Sequence, residues 1–200
     1  MLKETEIISA LRDDTTYNYY DLAKTVYEKQ LSTLQEPTPL TNTVELFAFG
    51  DYSHYRKYQS QFIEMDATLM LKLIKLTILS MVQDHEGGNI LFLDMNDRYL
   101  IQQAVDHYCE LSEAPVCHLL ENTFFSMIDD SLILIKFDHA KDRINVYKAN
   151  LLRDCYDASM FKLVVLSEED IPRSAGNSYG KLEKWLQQVR EAQRKAITNK

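Results

Sequence analysis

Apolar residues recur at helical spacing along most of the chain and switch to alternation in one place, between positions 131 and 148. In residues 2–34, Ile7, Ile8 and Leu11 share one helix face, and Leu22, Val26 and Tyr27 begin another. Asp13-Asp14-Thr15-Thr16 supplies a cap and a break between them. Pro37-Thr38-Pro39 predicts an extended linker, because each proline biases the residue before it away from helix. Val44-Glu45-Leu46-Phe47-Ala48-Phe49 predicts a helix that stops at Gly50, the residue type favoured just past a C-terminus. Asp51 or Ser53 can cap a further helix running through Tyr55 and Tyr58. The strongest signal covers 66–84, where Met70, Leu73, Ile74, Thr77, Ile78, Met81 and Val82 form one stripe. Leu69, Leu71, Leu76 and Leu79 widen that stripe almost all round, as in a helix buried on several sides.

Glu86-Gly87-Gly88-Asn89 then breaks the pattern, and the apolar run Ile90-Leu91-Phe92-Leu93 reads as a short strand. Asp97 is expected to open a helix containing Leu100, Ile101, Ala104, Val105 and Tyr108. Ser112 is expected to cap the next helix, through Val116, Leu119, Leu120, Thr123, Phe124, Met127 and Ile128. Ser131–Phe137 and Arg143–Lys148 alternate with a period of two across the turn Asp138-His139-Ala140-Lys141-Asp142, so they predict a β-hairpin. Short helices followed by a hairpin are the sequence shape of a winged helix. After a less regular stretch around Leu163-Val164-Val165-Leu166 and Pro172, the chain closes on an amphipathic helix expected from about 178 to 197. Its apolar stripe is Leu182, Trp185, Leu186, Val189, Ala192 and Ala196. The fold class is therefore mainly α: a helical segment, a winged helix and a long C-terminal helix. The expected divisions are an N-terminal helical segment over 1–36, a main domain over 40–176 and a C-terminal helix over 177–200. Within the main domain the helical part spans 40–84 and the winged helix about 88–150.

Charge and composition narrow the function classes. A net charge of −8 disfavours a chain whose main work is gripping phosphate backbones. The helix expected over 112–128 carries Glu113 and Glu121, no Lys or Arg, and runs into Asp129 and Asp130, so its face would repel a DNA groove. The hairpin does carry Lys136, Lys141, Arg143 and Lys148, a common way of discouraging sheet-to-sheet association. Three cysteines, Cys109, Cys117 and Cys155, are too few and too irregular for a disulfide framework and point to a reducing compartment. The charged opening at residues 1–6 is unlike a secretory leader. The most apolar stretch, 69–82, holds Lys72 and Lys75 and is too short for a membrane span, so an intracellular soluble protein is expected.

Candidate chemistry is thin. His107, Cys109, Cys117 and His118 are ligand types that suit zinc, but each pair is too close in sequence to share one helix face. No nucleophile elbow, phosphate loop or His-Glu-x-x-His motif occurs. Asp129-Asp130 and Glu168-Glu169 read as surface charge at turns rather than as acid–base pairs. No catalytic residue, metal site or cofactor is therefore expected.

Phe47-Ala48-Phe49-Gly50-Asp51-Tyr52, followed by Lys72-Leu73-Ile74-Lys75-Leu76-Thr77-Ile78-Leu79-Ser80, resembles the small PCI-domain subunits of the COP9 signalosome. These are the seventh subunit of animals and plants and the ninth of budding yeasts. Leu182-Glu183-Lys184-Trp185 is similar to the Leu-x-x-Trp element of their C-terminal helix. The resemblance runs over about 46–197, with 84–96 and 155–176 reading as insertions and 2–34 having no counterpart. It implies a non-catalytic scaffold, placed in the cytoplasm and nucleus, that supports removal of the ubiquitin-like modifier from cullins by a different, zinc-holding subunit. It also implies that the partners are other PCI subunits, with no direct DNA or RNA contact and no membrane. Such subunits meet edge to edge through their winged helices and send their C-terminal helices into a common bundle. The resemblance thus assigns partner contacts to Leu182, Trp185, Leu186 and Val189 on the last helix, and to the strand bearing Ile133, Ile135 and Phe137. The PCI subunit M of translation initiation factor 3 shares the core-helix pattern and is the alternative, along with a nucleic-acid-binding winged helix.

Overall fold

A computed structural model of the chain describes residues 3–34, 36–112, 119–160 and 162–171, together with the single positions Leu186 and Arg190. Among the described residues the protein is mainly helical, with eight α-helices and one three-stranded sheet. Helices α1 (Glu4–Arg12) and α2 (Tyr20–Thr33) lie where the sequence pattern puts them, and turn Ile7, Leu11, Ala23 and Val26 inward. The break between them is built by Asp13, whose carboxylate accepts from the Thr15 backbone N–H at 2.9 Å and from the Thr15 and Thr16 hydroxyls at 2.8 Å.

Helix α3 (Pro39–Phe49) starts earlier than the expected linker allows, because Pro39 takes the first helical position and Thr38 caps it by accepting from the Thr41 N–H. Proline lacks only an N–H that would be orphaned there anyway, so the linker shrinks to its first residues. Gly50 does follow the helix, but its φ is −91° and ψ is −175°, ordinary extended backbone. The need for glycine is steric: a Cβ there would stand 2.7 Å from the Leu46 Cδ1 and 3.0 Å from the Leu46 carbonyl oxygen. Asp51 caps α4 (Tyr52–Lys57) and Asp66 caps α5 (Ala67–Asp84). Helix α5 is the centre of the core, buried from Leu69 to Val82 at every position except Leu71.

The second half departs from expectation at its helix boundaries. Strand β1 (Asn89–Leu91) has only three residues, and Phe92 already begins α6 (Phe92–Tyr99). Asp97 therefore lies inside α6 rather than opening a helix. The break falls at Leu100, which closes α6 in the left-handed region at φ 52°. Helix α7 (Ile101–Ser112) follows at once, and Ser112 is its last residue. The Ser112 hydroxyl donates to the Tyr108 carbonyl at 2.8 Å, back-bonding within its own helix instead of capping the next. Helix α8 is described over Leu119–Asp129.

The hairpin forms as read, with β2 (Ile133–Asp138) and β3 (Arg143–Ala149) joined through a 3-10 turn at His139–Lys141. The sheet order is β1-β3-β2, antiparallel throughout, with a bulge between Leu134 and Ile135. Residues 84–96, which read as an insertion, hold the strand that completes this sheet. Ile133, Ile135, Ile144 and Val146 face the helices and join one core with α5 and α7, so the helical half and the sheet half are not separate bodies.

Candidate functional site

Several charged side chains missed by the sequence reading bind residues 153–171 to the helical core. Arg153 is only 4% exposed. Its guanidinium donates to the carbonyls of Phe47 at 2.6 Å, Ala48 at 2.9 Å and Gly50 at 3.1 Å, where α3 ends with carbonyls it cannot satisfy itself. It also donates to the Leu76 carbonyl and the Ser80 hydroxyl of α5, both at 3.0 Å. A cation at a helix C-terminus is favoured by the helix dipole, and here one planar fork ties two helices and the tail together. Glu45, buried on α3, accepts the backbone N–H groups of Val164, Val165 and Leu166 at 2.7, 3.0 and 2.8 Å. Burial raises the Glu45 carboxyl pKa even though those N–H groups oppose the shift. Asp154 accepts from the N–H groups of Tyr19 and Tyr20 at the start of α2.

A polar cleft of about 200 Å³ lies beside this strap, lined by Asp51, His54, Lys57, Arg98 and Asp170 among others. His54 places Nδ1 2.8 Å from the Asp51 carboxylate and Nε2 3.2 Å from the Asp170 carbonyl, so both ring nitrogens meet acceptors. The Asp51 N–H also approaches Nδ1 at 3.2 Å, so that nitrogen faces both a carboxylate and a backbone donor. Burial works against both charges, yet their mutual contact wins: the His54 pKa is raised and that of Asp51 is lowered to about 2. A histidine with both nitrogens engaged has none left to take a proton from a substrate. Lys57 is held by the Asp170 carboxylate at 2.6 Å and Arg98 by Asp84 at 3.3 Å. The cleft is a clasp between α4 and the tail, and its charges already serve one another.

Lys72 is the other unexpected charge, 1% exposed in the middle of α5. Its ammonium donates to the carbonyls of Asp13 at 2.8 Å and Asp14 at 3.1 Å and sits 3.7 Å from the centre of the Tyr17 ring. Burial lowers its pKa to about 8.

Of the residues assigned to partner contacts, Ile133 and Ile135 point into the core, and Phe137 packs half-buried against Phe124. Ile133 and Ile135 are thus turned inward, while Leu134 on the other face of the strand is 51% exposed. Val146 gives its N–H to the Gly88 carbonyl at 2.9 Å, on the β1 side. Alternation along the ladder then turns the N–H and C=O groups of Ile135 and Phe137, which lie opposite Val146 and Ile144, toward the open edge of β2. Leu182, Trp185 and Val189 lie outside the described residues, and Leu186 is helical and 39% exposed. Among the possible zinc ligands, Cys109 is buried on α7 while the His107 ring stacks on Tyr55 with centroids 5.9 Å apart. Cys117 and His118 lie outside the described residues.

No group of three or more metal-ligating side chains occurs among the described residues. None of the described helices is long and apolar enough to cross a membrane. A lone Glu in the otherwise apolar run 44–49 was a visible signal of a buried anchor. Arg153, in the aperiodic stretch Leu151-Leu152-Arg153-Asp154, left no comparable trace. No protein-family model matches the chain, and no curated protein matches it.

Proposed function

We propose that the chain is a non-catalytic scaffold subunit of the COP9 signalosome type, in which residues 40–176 form a PCI domain ending in a winged helix. In this reading it supports cullin deneddylation, in the cytoplasm and nucleus, by holding neighbouring PCI subunits rather than by any chemistry of its own. The observation that carries the reading is the order of elements: α5, β1, the helices α6 to α8, then the β2–β3 hairpin, closed into a sheet of order β1-β3-β2. A winged helix has that helix–strand–helices–hairpin order, and here it adjoins a helical segment through the core helix that bears the Lys72–Ser80 motif, which supports the reading. The edge position of β2, which no other strand among the described residues pairs, supports the mode of assembly, since it leaves backbone groups ready to extend a sheet across an interface. The spent histidine at position 54 and the engaged charges around it support a role without catalysis.

Affinity purification of the tagged full chain from its source cell, with identification of what co-purifies, tests the reading. Recovery of several PCI subunits together with a zinc metalloprotease-type subunit is expected. Recovery of translation initiation factor 3 subunits, or of nucleic acid without PCI partners, would overturn it.

A further inference from the structure

The β2 edge has two faces, and each constrains the strand that can join it. Among the described residues no strand pairs with β2 on the side away from β3. The backbone groups of Ile135 and Phe137 turn toward that side, so a strand added there hydrogen-bonds opposite those two residues, about 4.8 Å away. Its side chains then alternate: those opposite Ile135 and Phe137 face the helices, and the one opposite Lys136 faces outward. This holds for either strand direction.

On the inward face the apolar layer reaches an open ring. Phe137 packs on Phe124 at 5.5 Å and on Phe125 at 5.9 Å. Phe124 is 1% exposed, but Phe125 is 52% exposed. An apolar side chain set beside Phe137 by an added strand would come within reach of Phe125. A carboxylate would not suit the place, because Glu121 and Asp129 stand one turn to either side of Phe125, and α8 holds no Lys or Arg over Leu119–Asp129.

On the outward face Lys136 is exposed and lies opposite the neutral Asn145 of β3. Asp138, two residues along the same face, is held by Arg143 at 3.2 Å. Lys148, also exposed, is the ladder partner of Leu134, which is 51% exposed. This face of the edge is therefore cationic and partly apolar. The chain's own stretch 172–200 carries seven Lys or Arg against two Glu, so like charge disfavours it as the added strand.

We infer that the β2 edge accepts a partner strand with apolar side chains inward, over Phe137 and Phe125, and a Glu or Asp outward, opposite Lys136. The inference rests on the assembly reading above, since it uses the same edge, and adds which strand that edge selects. In strand addition the main chain supplies affinity, and pockets at alternate side-chain positions supply specificity. Here one open ring and one cation make the selection.

The test uses the full chain and two short labelled peptides, one alternating Val with Glu and the other Val with Lys, read by fluorescence anisotropy. The Glu peptide is expected to bind more tightly than its Lys twin. Its binding is expected to fall about tenfold in Phe125→Ser, the scale of one lost anchor, and about threefold in Lys136→Met, the scale of one cross-strand charge pair. In Lys136→Glu the preference between the peptides is expected to invert. Phe125 and Lys136 are both exposed, so these variants should keep the wild-type thermal melt, and the Lys136 variants decide alone if Phe125→Ser does not. Equal binding of the two peptides by wild type, no inversion in Lys136→Glu, or no binding of the Glu peptide would overturn the inference. So would a wild-type dimer in sedimentation that Ile135→Pro abolishes and Ile135→Ala keeps, since a second copy would then be the added strand. The assembly reading fails separately, if PCI subunits co-purify equally with Ile135→Pro and Ile135→Ala.

Discussion

Arg153 ties α3, α5 and the tail together through five hydrogen bonds from one side chain. Replacing it with Ala would leave the carbonyls of Phe47, Ala48 and Gly50 buried without their donor, and would separate α3 from α5 at the point where both meet the tail. A loss of about 3–4 kcal/mol in urea denaturation is expected, since each stranded buried group costs about 1–3 kcal/mol and the costs overlap. Lys at the same position keeps the charge but not the planar fork, and should recover less than half. A change under about 1 kcal/mol for Ala would mean that water replaces the guanidinium at no cost. Lys72 carries a pH signature of a different sign. Its folded pKa, about 8, lies below the ordinary 10.5, so between those values the unfolded chain binds the extra proton and stability rises with pH. Denaturation midpoints of wild type should therefore climb relative to Lys72→Met over that window, and a constant gap would show that the ammonium is not held away from water.

Among the elements, β2 joins two roles that one sequence pattern describes only half. Ile135 packs its side chain inward and, by the ladder alternation, turns its N–H outward. Ile135→Ala and Ile135→Pro both lose the core side chain, but only proline also removes the outward donor. If neighbouring subunits extend the sheet here, the proline variant should co-purify with markedly less partner than the alanine variant at similar thermal stability. Equal recovery would move the joint elsewhere. The C-terminal helix expected from the sequence makes a complementary case. Leu186 is 39% exposed. Trp185→Ala combined with Leu186→Ala is expected to reduce incorporation into a complex, by the ~2–4 kcal/mol typical of a lost interface anchor, while barely moving the melting temperature. A strongly destabilised chain that still incorporates normally would place the stripe in the core instead.

At the scale of the whole molecule, the charges that could have made an active site hold the chain closed upon itself. The tail from Arg153 to Asp170 is fastened by Glu45, by the His54–Asp51 pair and by Lys57, so the helical segment, the sheet and the tail share one core. The side chains of this cluster are engaged with one another within the fold. The purified protein is accordingly expected to hold no stoichiometric zinc and to show no isopeptidase activity alone; one tightly held zinc per chain in elemental analysis would refute this. DNA affinity should be weak and without sequence preference at physiological salt, because α8 presents carboxylates where phosphates would lie.

Periodicity determined which faces of several elements enter the core, but not that residues 92–99 form a helix of their own. The stripe of α5, the inward faces of α1 and α2 and the alternation of β2 and β3 were all legible, because burying apolar area depends on spacing within one element. Helix ends were less legible. Pro39 and Ser112 each have two local options, start or stop, interior or cap, and contacts decide between them. What only the tertiary structure decided was the fate of the charges. Whether Arg153, Lys72 and Glu45 face water or buried backbone groups depends on partners 58 to 121 residues away, and no local pattern encodes such a distance. The same holds for Gly50, whose missing Cβ makes room for Leu46 and Leu166 rather than for a left-handed turn.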